Sequence, residues 1–435
     1  MALKLKRTLS LLEVTLYGVG IIVGAGIYAL LGEATASAGN AVWLSFLIGA
    51  IVSSFTGLSY AELSTMYPKA AAEYVYVKKA YASKFLAFII GWLIIFTGIV
   101  SVATISLGFS GYFESIVKAI YPSVNGFFFV LIPIVLIIFL SYVSYLGIKE
   151  SSNVNMITTG IEIVGLLIII LLGVGSYGSV NYFEMPNGFS GVLIASTLIF
   201  FAYLGFEDIA NISEETKNPK KVLHKALILA IVLTTTLYIF TSISAVSIVG
   251  WKELGASQNP LALIASKKLG SSAFFLLSIL ALFATSSTAL IILIVVSRMI
   301  YGMANSHALP YKLATVHKKR RTPWIASIVT MSFAILFVLT GKINTTASIT
   351  SLGAFITFTA VNFAVIWLRY RHPNIERSFK VPLNIGRFPI LPFLGALFSI
   401  FMIYQFDVQI LVFGVLILLS GAVVYHLRKN KIAFV

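Results

Sequence analysis

Long apolar stretches alternate with short polar connections along almost the whole chain. Twelve such segments can be marked, over residues 11–38, 41–65, 84–116, 126–147, 154–177, 190–212, 223–250, 271–305, 323–340, 347–369, 389–405 and 407–427. A bilayer-crossing helix needs about 20 mostly apolar residues, with a few more or fewer tolerated. The pattern therefore predicts an all-α integral membrane protein with 12 transmembrane helices. No connection is long enough for a second domain, so residues 1–435 are expected to form a single membrane unit.

Composition sharpens this reading. Apolar residues make up 59% of the chain, charged residues 11%, and mean hydropathy is +0.97. Soluble chains hold roughly 45–50% apolar and about 25% charged residues, which excludes a soluble enzyme. The absence of Cys removes disulfides, thiolate nucleophiles and Cys-based metal sites. The five His form no metal-binding spacing, and His307 and His317 fall in loops, so no metal is expected. A net charge of +16 would suggest nucleic acid in a soluble chain, yet here the basic residues sit in short runs between apolar segments. With the N-terminus inside, 26 of the 31 Lys and Arg fall on the inner side, leaving Lys118, Lys252, Lys267, Lys268 and Lys342 outside. Positive residues favour the cytoplasmic side. The expectation is a multi-pass protein of the plasma membrane with both termini inside and no nucleic-acid partner. Lys4, Lys6 and Arg7 precede an apolar run too long and too Gly-interrupted for a cleavable signal peptide. No Walker motif is present for ATP-driven pumping.

Two segments are poorly suited to continuous helix. The first carries Gly18, Gly20, Gly24 and Gly26 around the core Val23-Gly24-Ala25-Gly26-Ile27, and each Gly costs about 1 kcal/mol relative to Ala inside a helix. The sixth carries Tyr203-Leu204-Gly205-Phe206-Glu207-Asp208, a Gly followed by two adjacent carboxylates. An offset of five spans places the two segments in opposite orientation. Interrupted helices at matching positions of two inverted halves point to the binding site of a secondary transporter. A broken helix exposes N–H groups at one half-helix start and carbonyls at the other half-helix end. The first attract an anion and the second a cation, so a zwitterionic amino acid suits both. Gly24 and Gly26 also fit close helix packing, which does not account for Glu207 and Asp208. Val at position 24 or 26 is expected to block backbone approach to a substrate while leaving the fold intact.

Further strings follow at regular intervals. They are Gly20-Ile21-Ile22-Val23-Gly24-Ala25-Gly26-Ile27-Tyr28, Ser59-Tyr60-Ala61-Glu62-Leu63, Phe201-Ala202-Tyr203-Leu204-Gly205-Phe206-Glu207, Glu214-Glu215-Thr216-Lys217-Asn218-Pro219 and Ser297-Arg298-Met299-Ile300-Tyr301-Gly302, with Leu309-Pro310 and Thr322-Pro323 after them. Together, over positions 17–323, they resemble the amino acid–polyamine–organocation transporters. The resemblance implies a five-plus-five inverted repeat, with a first repeat over 11–177, a second over 190–369 and two additional helices over 389–427. It implies that a substrate carboxylate meets backbone N–H groups of Gly24, Ala25 and Gly26, beside the break at Gly205. The ammonium would meet carbonyls of Ile22, Phe201 and Leu204, with the Phe201 ring as a cap. Two departures stand out: Ala71-Ala72 replaces the usual Gly-Gly, and His224 replaces a usual Pro.

Glu162 sits in an apolar run of the fifth segment, where a carboxylate is costly unless it finds a partner or takes up a proton. Its position resembles that of a buried Lys in proton-coupled relatives. It is expected either to couple proton movement or to pair with a buried polar group such as Ser286 or Ser287. Glu207 and Asp208 are candidates for pH sensing or gating. Glu62, Glu214 and Glu215 are expected to form ion pairs at the inner side, Arg298 to anchor or gate, and Tyr74, Tyr76 and Tyr81 to be interfacial aromatics. Segments three and eight present Ile94, Ile95, Thr97, Ile99, Ala289 and Ile292, with no acid between Gly91 and Gly111 or between Ala273 and Val296. The expected function is secondary active import of uncharged, apolar amino acids, driven by a proton gradient with sodium left open, and without a cofactor. The alternatives are a polyamine or cationic amino acid transporter or exchanger on the same fold, then a nutrient sensor or channel. The implied partners are a small amino acid and the lipid bilayer; nothing in the sequence sets an oligomeric state.

Overall fold

The computed structural model describes residues 6–121, 127–257, 259–270, 272–340, 343–404 and 406–432. Lys4, Lys342 and the expected segment edges at 126, 271 and 405 lie outside them. The chain runs through α1 (Leu11–Ala38), α2 (Val42–Met66), α3 (Ala72–Tyr81), α4 (Lys84–Ile120), α5 (Phe127–Leu146), α6 (Ile148–Val174), α7 (Gly188–Tyr203) and α8 (Asp208–Asn211). It continues through α9 (Pro219–Val249), α10 (Trp251–Gly255), α11 (Pro260–Leu269), α12 (Ser272–Asn305), α13 (Trp324–Thr340), α14 (Ile343–Arg371), α15 (Ile390–Ile403) and α16 (Val408–Ile432). Among the described residues, nine helical stretches are long and apolar enough to cross a membrane. Three shorter apolar helices cover Leu131–Leu146, Trp324–Leu339 and Ile390–Ile403. The helix edges follow the apolar pattern closely because backbone N–H and C=O groups in hydrocarbon must pair within their own segment.

Four elements between the apolar segments have no counterpart in the hydropathy pattern: α3, α10, α11 and a hairpin of β1 (Asn384–Ile385) with β2 (Phe388–Pro389). The most consequential is α3. It lies across one end of the bundle against α4 and α14, with Ala71 in the left-handed region at φ 59° as its N-cap. The expectation that its tyrosines sit at a membrane interface is corrected here. Tyr74 and Tyr76 are buried, and Tyr76 packs edge-on against Tyr60 of α2, whose ring also meets Phe206 and Phe358. Tyr81 donates to the Ala360 carbonyl of α14 at 3.0 Å. α3 turns these rings into the bundle because it packs against α4 and α14, where the Tyr60 ring and the Ala360 carbonyl receive them.

The same end of the bundle is closed by buried polar groups. Arg298 of α12, fully buried, donates to both carboxylate oxygens of Glu215 at 3.0 and 3.2 Å. Glu62 of α2 accepts from Arg369 at 2.5 Å, from Arg377 at 3.1 Å and from the Val381 N–H at 2.9 Å. Glu214 accepts the Ala70 N–H, rather than joining an ion pair among the described residues. The chain before α1 joins this closure as a short parallel strip: the N–H groups of Thr8 and Leu9 donate to the Glu215 carbonyl, and the Lys217 N–H to that of Leu9. Removing one member of a buried pair leaves an uncompensated charge, at a cost of about 3–5 kcal/mol. These pairs therefore fix α12 to the segment after α8, and α2 to α14 and the loop that follows it.

Glu73 of α3 belongs to this cluster. It accepts from the Asn211 side chain at 3.2 Å and from the Tyr60 hydroxyl at 3.2 Å. Burial pushes its carboxyl from 4.5 up to about 7, against the opposing pull of these donors. The folded chain thus binds this proton more tightly than the unfolded chain. Its contribution to stability is complete below about 4.5 and is lost as pH rises through about 7. A shift of this size corresponds to about 3 kcal/mol. Thermal unfolding in detergent micelles is therefore expected to show a midpoint that falls from about pH 5 to about pH 8, with Glu73→Gln removing that component of the slope. Equal slopes for the two proteins would contradict the assignment.

Candidate functional site

Both expected breaks are present. Gly24 has φ −35° and ψ −126° within α1, far from helical values. The second break begins where α7 ends at Tyr203: Leu204 is extended, Gly205 has φ 115°, and α8 starts only at Asp208. Gly205 adopts a backbone conformation that side-chain-bearing residues rarely reach, and a Cβ there would lie 2.8 Å from Ile21 of α1. This single residue lets the chain turn and lets the two breaks touch.

The glycines of α1 serve packing as well as interruption. A Cβ on Gly26 would lie 2.5 Å from the Cα of Ala202, and one on Gly24 would overlap the Thr288 hydroxyl of α12. The expectation that Val at 24 or 26 leaves the fold intact is therefore corrected: either side chain would push α1 off α7 or α12.

A cavity opens between the breaks, with about 720 Å³ of empty space including its mouth. Ile21, Ile22 and Gly26 line it from α1, and Phe201, Leu204, Gly205, Glu207 and Asp208 from the second break. The facing wall follows two helical stripes, Ile94, Thr97, Ser101 and Ile105 on α4 and Thr288, Ile292, Val295 and Met299 on α12, with Thr350 and Ala354 from α14. Ile95, Ile99 and Ala289, expected on this wall, are buried in helix packing instead. Gly24 backs onto Thr288 beside the cavity; the Ala25 side chain lies outside the described residues. Among the described residues no Lys, Arg or His lines the space. Glu207 accepts the Gly205 N–H at 2.9 Å, and Asp208 stands half-buried on the wall.

Glu162 of α6 is fully buried and off the cavity wall. Ser287 is the polar neighbour of its carboxylate, and neither oxygen accepts a fully formed hydrogen bond among the described residues. Ser286, the other expected partner, instead donates to the Leu282 carbonyl at 2.6 Å. Tyr28 of α1 donates to the Glu162 main-chain carbonyl at 3.3 Å. Among the described residues no group of three His, Asp or Glu is arranged to hold a metal.

Sequence reasoning missed Tyr238 of α9. Its hydroxyl lies 2.5 Å from the Ile22 carbonyl and 3.0 Å from the Ala202 carbonyl, bridging the two interrupted helices. The Ile22 carbonyl, expected to meet a substrate ammonium, is thus already engaged, and the Phe201 carbonyl accepts the Leu204 N–H at 3.2 Å. The available signal was slight: one phenol in the seventh apolar segment, needing a buried partner for its hydroxyl. Gly205→Ala forces a strained backbone and a clash with Ile21, so it is expected to destabilise the protein by about 1–3 kcal/mol. The thermal unfolding midpoint in detergent checks this; an unchanged midpoint would contradict the geometry.

The family described as amino acid permease matches residues 9–420. The branched-chain amino acid permease BcaP of Bacillus subtilis (strain 168) is 32% identical over 444 aligned residues, covering 98% of this chain and 94% of that protein. The methylthioribose transporter of the same strain is 30% identical, with 98% and 94% covered. Its serine/threonine exchanger SteT is 28% identical, with 98% of each covered. The matched region includes both breaks, every cavity-lining residue and the buried ion pairs that close one end. This chain belongs to the amino acid permease family of multi-span membrane transporters.

Proposed function

We propose that the chain imports uncharged, apolar amino acids across the plasma membrane by proton-coupled secondary transport. The observation that carries this reading is the cavity between the two breaks, whose wall combines helix-end backbone groups with Ile94, Ile105, Ile292, Val295 and Met299 and no basic side chain. An ammonium group suits the Glu207 and Asp208 side, and a carboxylate suits the interrupted α1. The aliphatic wall suits a branched side chain, and the similarity to a branched-chain permease supports it.

The architecture belonging to this reading is twelve crossings, with repeats over 11–177 and 190–369, two further helices over 389–427, and both termini in the cytoplasm. The distribution of 26 of 31 basic residues supports that orientation. The end closed by Arg298–Glu215 and Glu62–Arg369 is then cytoplasmic, and opening it would release substrate inward.

Leucine carries three CH₂ units more than alanine, each contributing about 0.8 kcal/mol when buried, so it is expected to compete for uptake roughly fiftyfold better than alanine. Uptake of labelled leucine into proteoliposomes measures this, with unlabelled alanine, leucine, isoleucine, arginine, putrescine and methylthioribose as competitors. A second reading, cationic substrates, is favoured by Glu207 and Asp208 on the wall. Selective competition by arginine or putrescine would establish that reading and overturn the first.

Glu162 carries the coupling in this proposal. A buried carboxylate beside Tyr28 of α1, with the Ser287 hydroxyl as a polar neighbour among the described residues, is costly at membrane depth as an anion. Protonation would remove a negative charge that competes with the substrate carboxylate, so proton and substrate would bind with reciprocal positive coupling. Glu162→Gln is expected to keep counterflow exchange and lose accumulation driven by a pH gradient. Accumulation by the variant with the wild-type pH profile would assign Glu162 a structural role.

A further inference from the structure

A second large concavity lies away from the two breaks, between α5 and α13. Its walls are Ile138, Ser141, Tyr142 and Tyr145 on one helix and Trp324, Ser327, Ile328 and Met331 on the other. Each set repeats at i, i+3, i+4 and i+7, which is one continuous helix face. The groove has about 990 Å³ of empty space including its mouth. Ile138, Tyr142, Trp324 and Ile328 remain exposed, so no other part of the described chain fills it.

The turn that borders one end of this groove is basic, and His317, its first residue, lines the groove. The turn His317–Thr322 carries Lys318, Lys319, Arg320 and Arg321, and none of the four pairs with a carboxylate among the described residues. The turn is fixed to the end of α5. His317 Nε2 lies 3.2 Å from the Tyr145 hydroxyl, and Thr322 donates to the Tyr145 carbonyl at 3.1 Å. Within the turn, the Arg320 N–H donates to His317 Nδ1 at 3.2 Å and the Arg321 N–H to the His317 carbonyl. With Nδ1 accepting, Nε2–H is the donor toward Tyr145, which leaves the phenol proton for an acceptor in the groove. One turn deeper, the Ser141 hydroxyl is buried with no hydrogen-bond partner among the described residues. Beyond it the walls are Ile138, Ile328 and Met331.

We propose that this groove seats an anionic phospholipid. The order of groups along it is the order of groups along the lipid. The four basic residues meet the phosphate and an acidic headgroup, Tyr145 and Ser141 meet ester carbonyls, and the aliphatic stripe holds an acyl chain. Basic residues near a membrane surface each favour anionic lipid by about 1 kcal/mol, or roughly fivefold. A seated lipid here would brace α13 against α5 beside α4 and α12, two helices of the cavity's facing wall, independently of which substrate is carried.

The test is native mass spectrometry of the full-length protein in detergent, with added dioleoyl-phosphatidylglycerol or dioleoyl-phosphatidylcholine. Wild type is expected to retain phosphatidylglycerol at least roughly tenfold more strongly. The variant with Lys318, Lys319, Arg320 and Arg321 all changed to Gln should lose that preference. Ile328→Trp keeps all four charges and fills the groove from its exposed wall, and it should lose the bound lipid as well. Equal retention of the two lipids by wild type would overturn the proposal. So would retention by Ile328→Trp, which means surface attraction without a seat, displacement by excess inorganic phosphate, or a second copy of the chain retained in place of lipid.

Discussion

Every other feature of this protein depends on how unpaired backbone groups are kept at membrane depth. In hydrocarbon an unsatisfied N–H or C=O is too costly to persist, so a helix is interrupted only where protein or a polar cavity receives the freed groups. α1 is interrupted at Gly24 and the α7–α8 segment at Gly205, and the two interruptions are pressed together. Tyr238 ties the Ile22 and Ala202 carbonyls with one hydroxyl, and Glu207 takes the Gly205 N–H. What remains is the cavity between them, with Glu207 and Asp208 on one side and aliphatic side chains of α4 and α12 on the facing wall.

The two ends of the bundle differ in how they are held. One end is locked by buried Arg–carboxylate pairs, by Glu73 with Asn211, and by the strip that joins Leu9 to Glu215 and Lys217. Such groups are poor sources of net stability, since desolvation offsets much of their attraction. In this structure they are paired and buried, which holds this end of the bundle shut. At the opposite end the contacts are lighter: Asn40 and Trp251 share Glu184, and Trp43 donates to the Tyr182 carbonyl.

The apolar segments and both breaks were legible in the sequence, because the membrane imposes helix on any long apolar run and leaves Gly and carboxylates conspicuous inside one. The phase of each helix was not legible. Adjacent residues point about 100° apart, so choosing between Ser286 and Ser287, or between Ile94 and Ile95, required the packing of α12 and α4. Short amphipathic α3 carries no periodic signal distinct from an interfacial loop, and its buried Tyr76 follows from the Tyr60, Phe206 and Phe358 rings brought there by three other segments. The role of Tyr238 is illegible for the same reason, since its partners lie far away in sequence.

The central claim is that a zwitterionic amino acid lies across the two breaks. The most direct measurement is an experimental density map of the purified transporter with saturating leucine. Leucine density is expected with its carboxylate against the Gly24–Gly26 backbone, its ammonium toward Phe201–Asp208, and its side chain against Ile94, Ile105 and Ile292. Leucine density elsewhere, with the space between Gly24 and Gly205 closed by side chains, would contradict it.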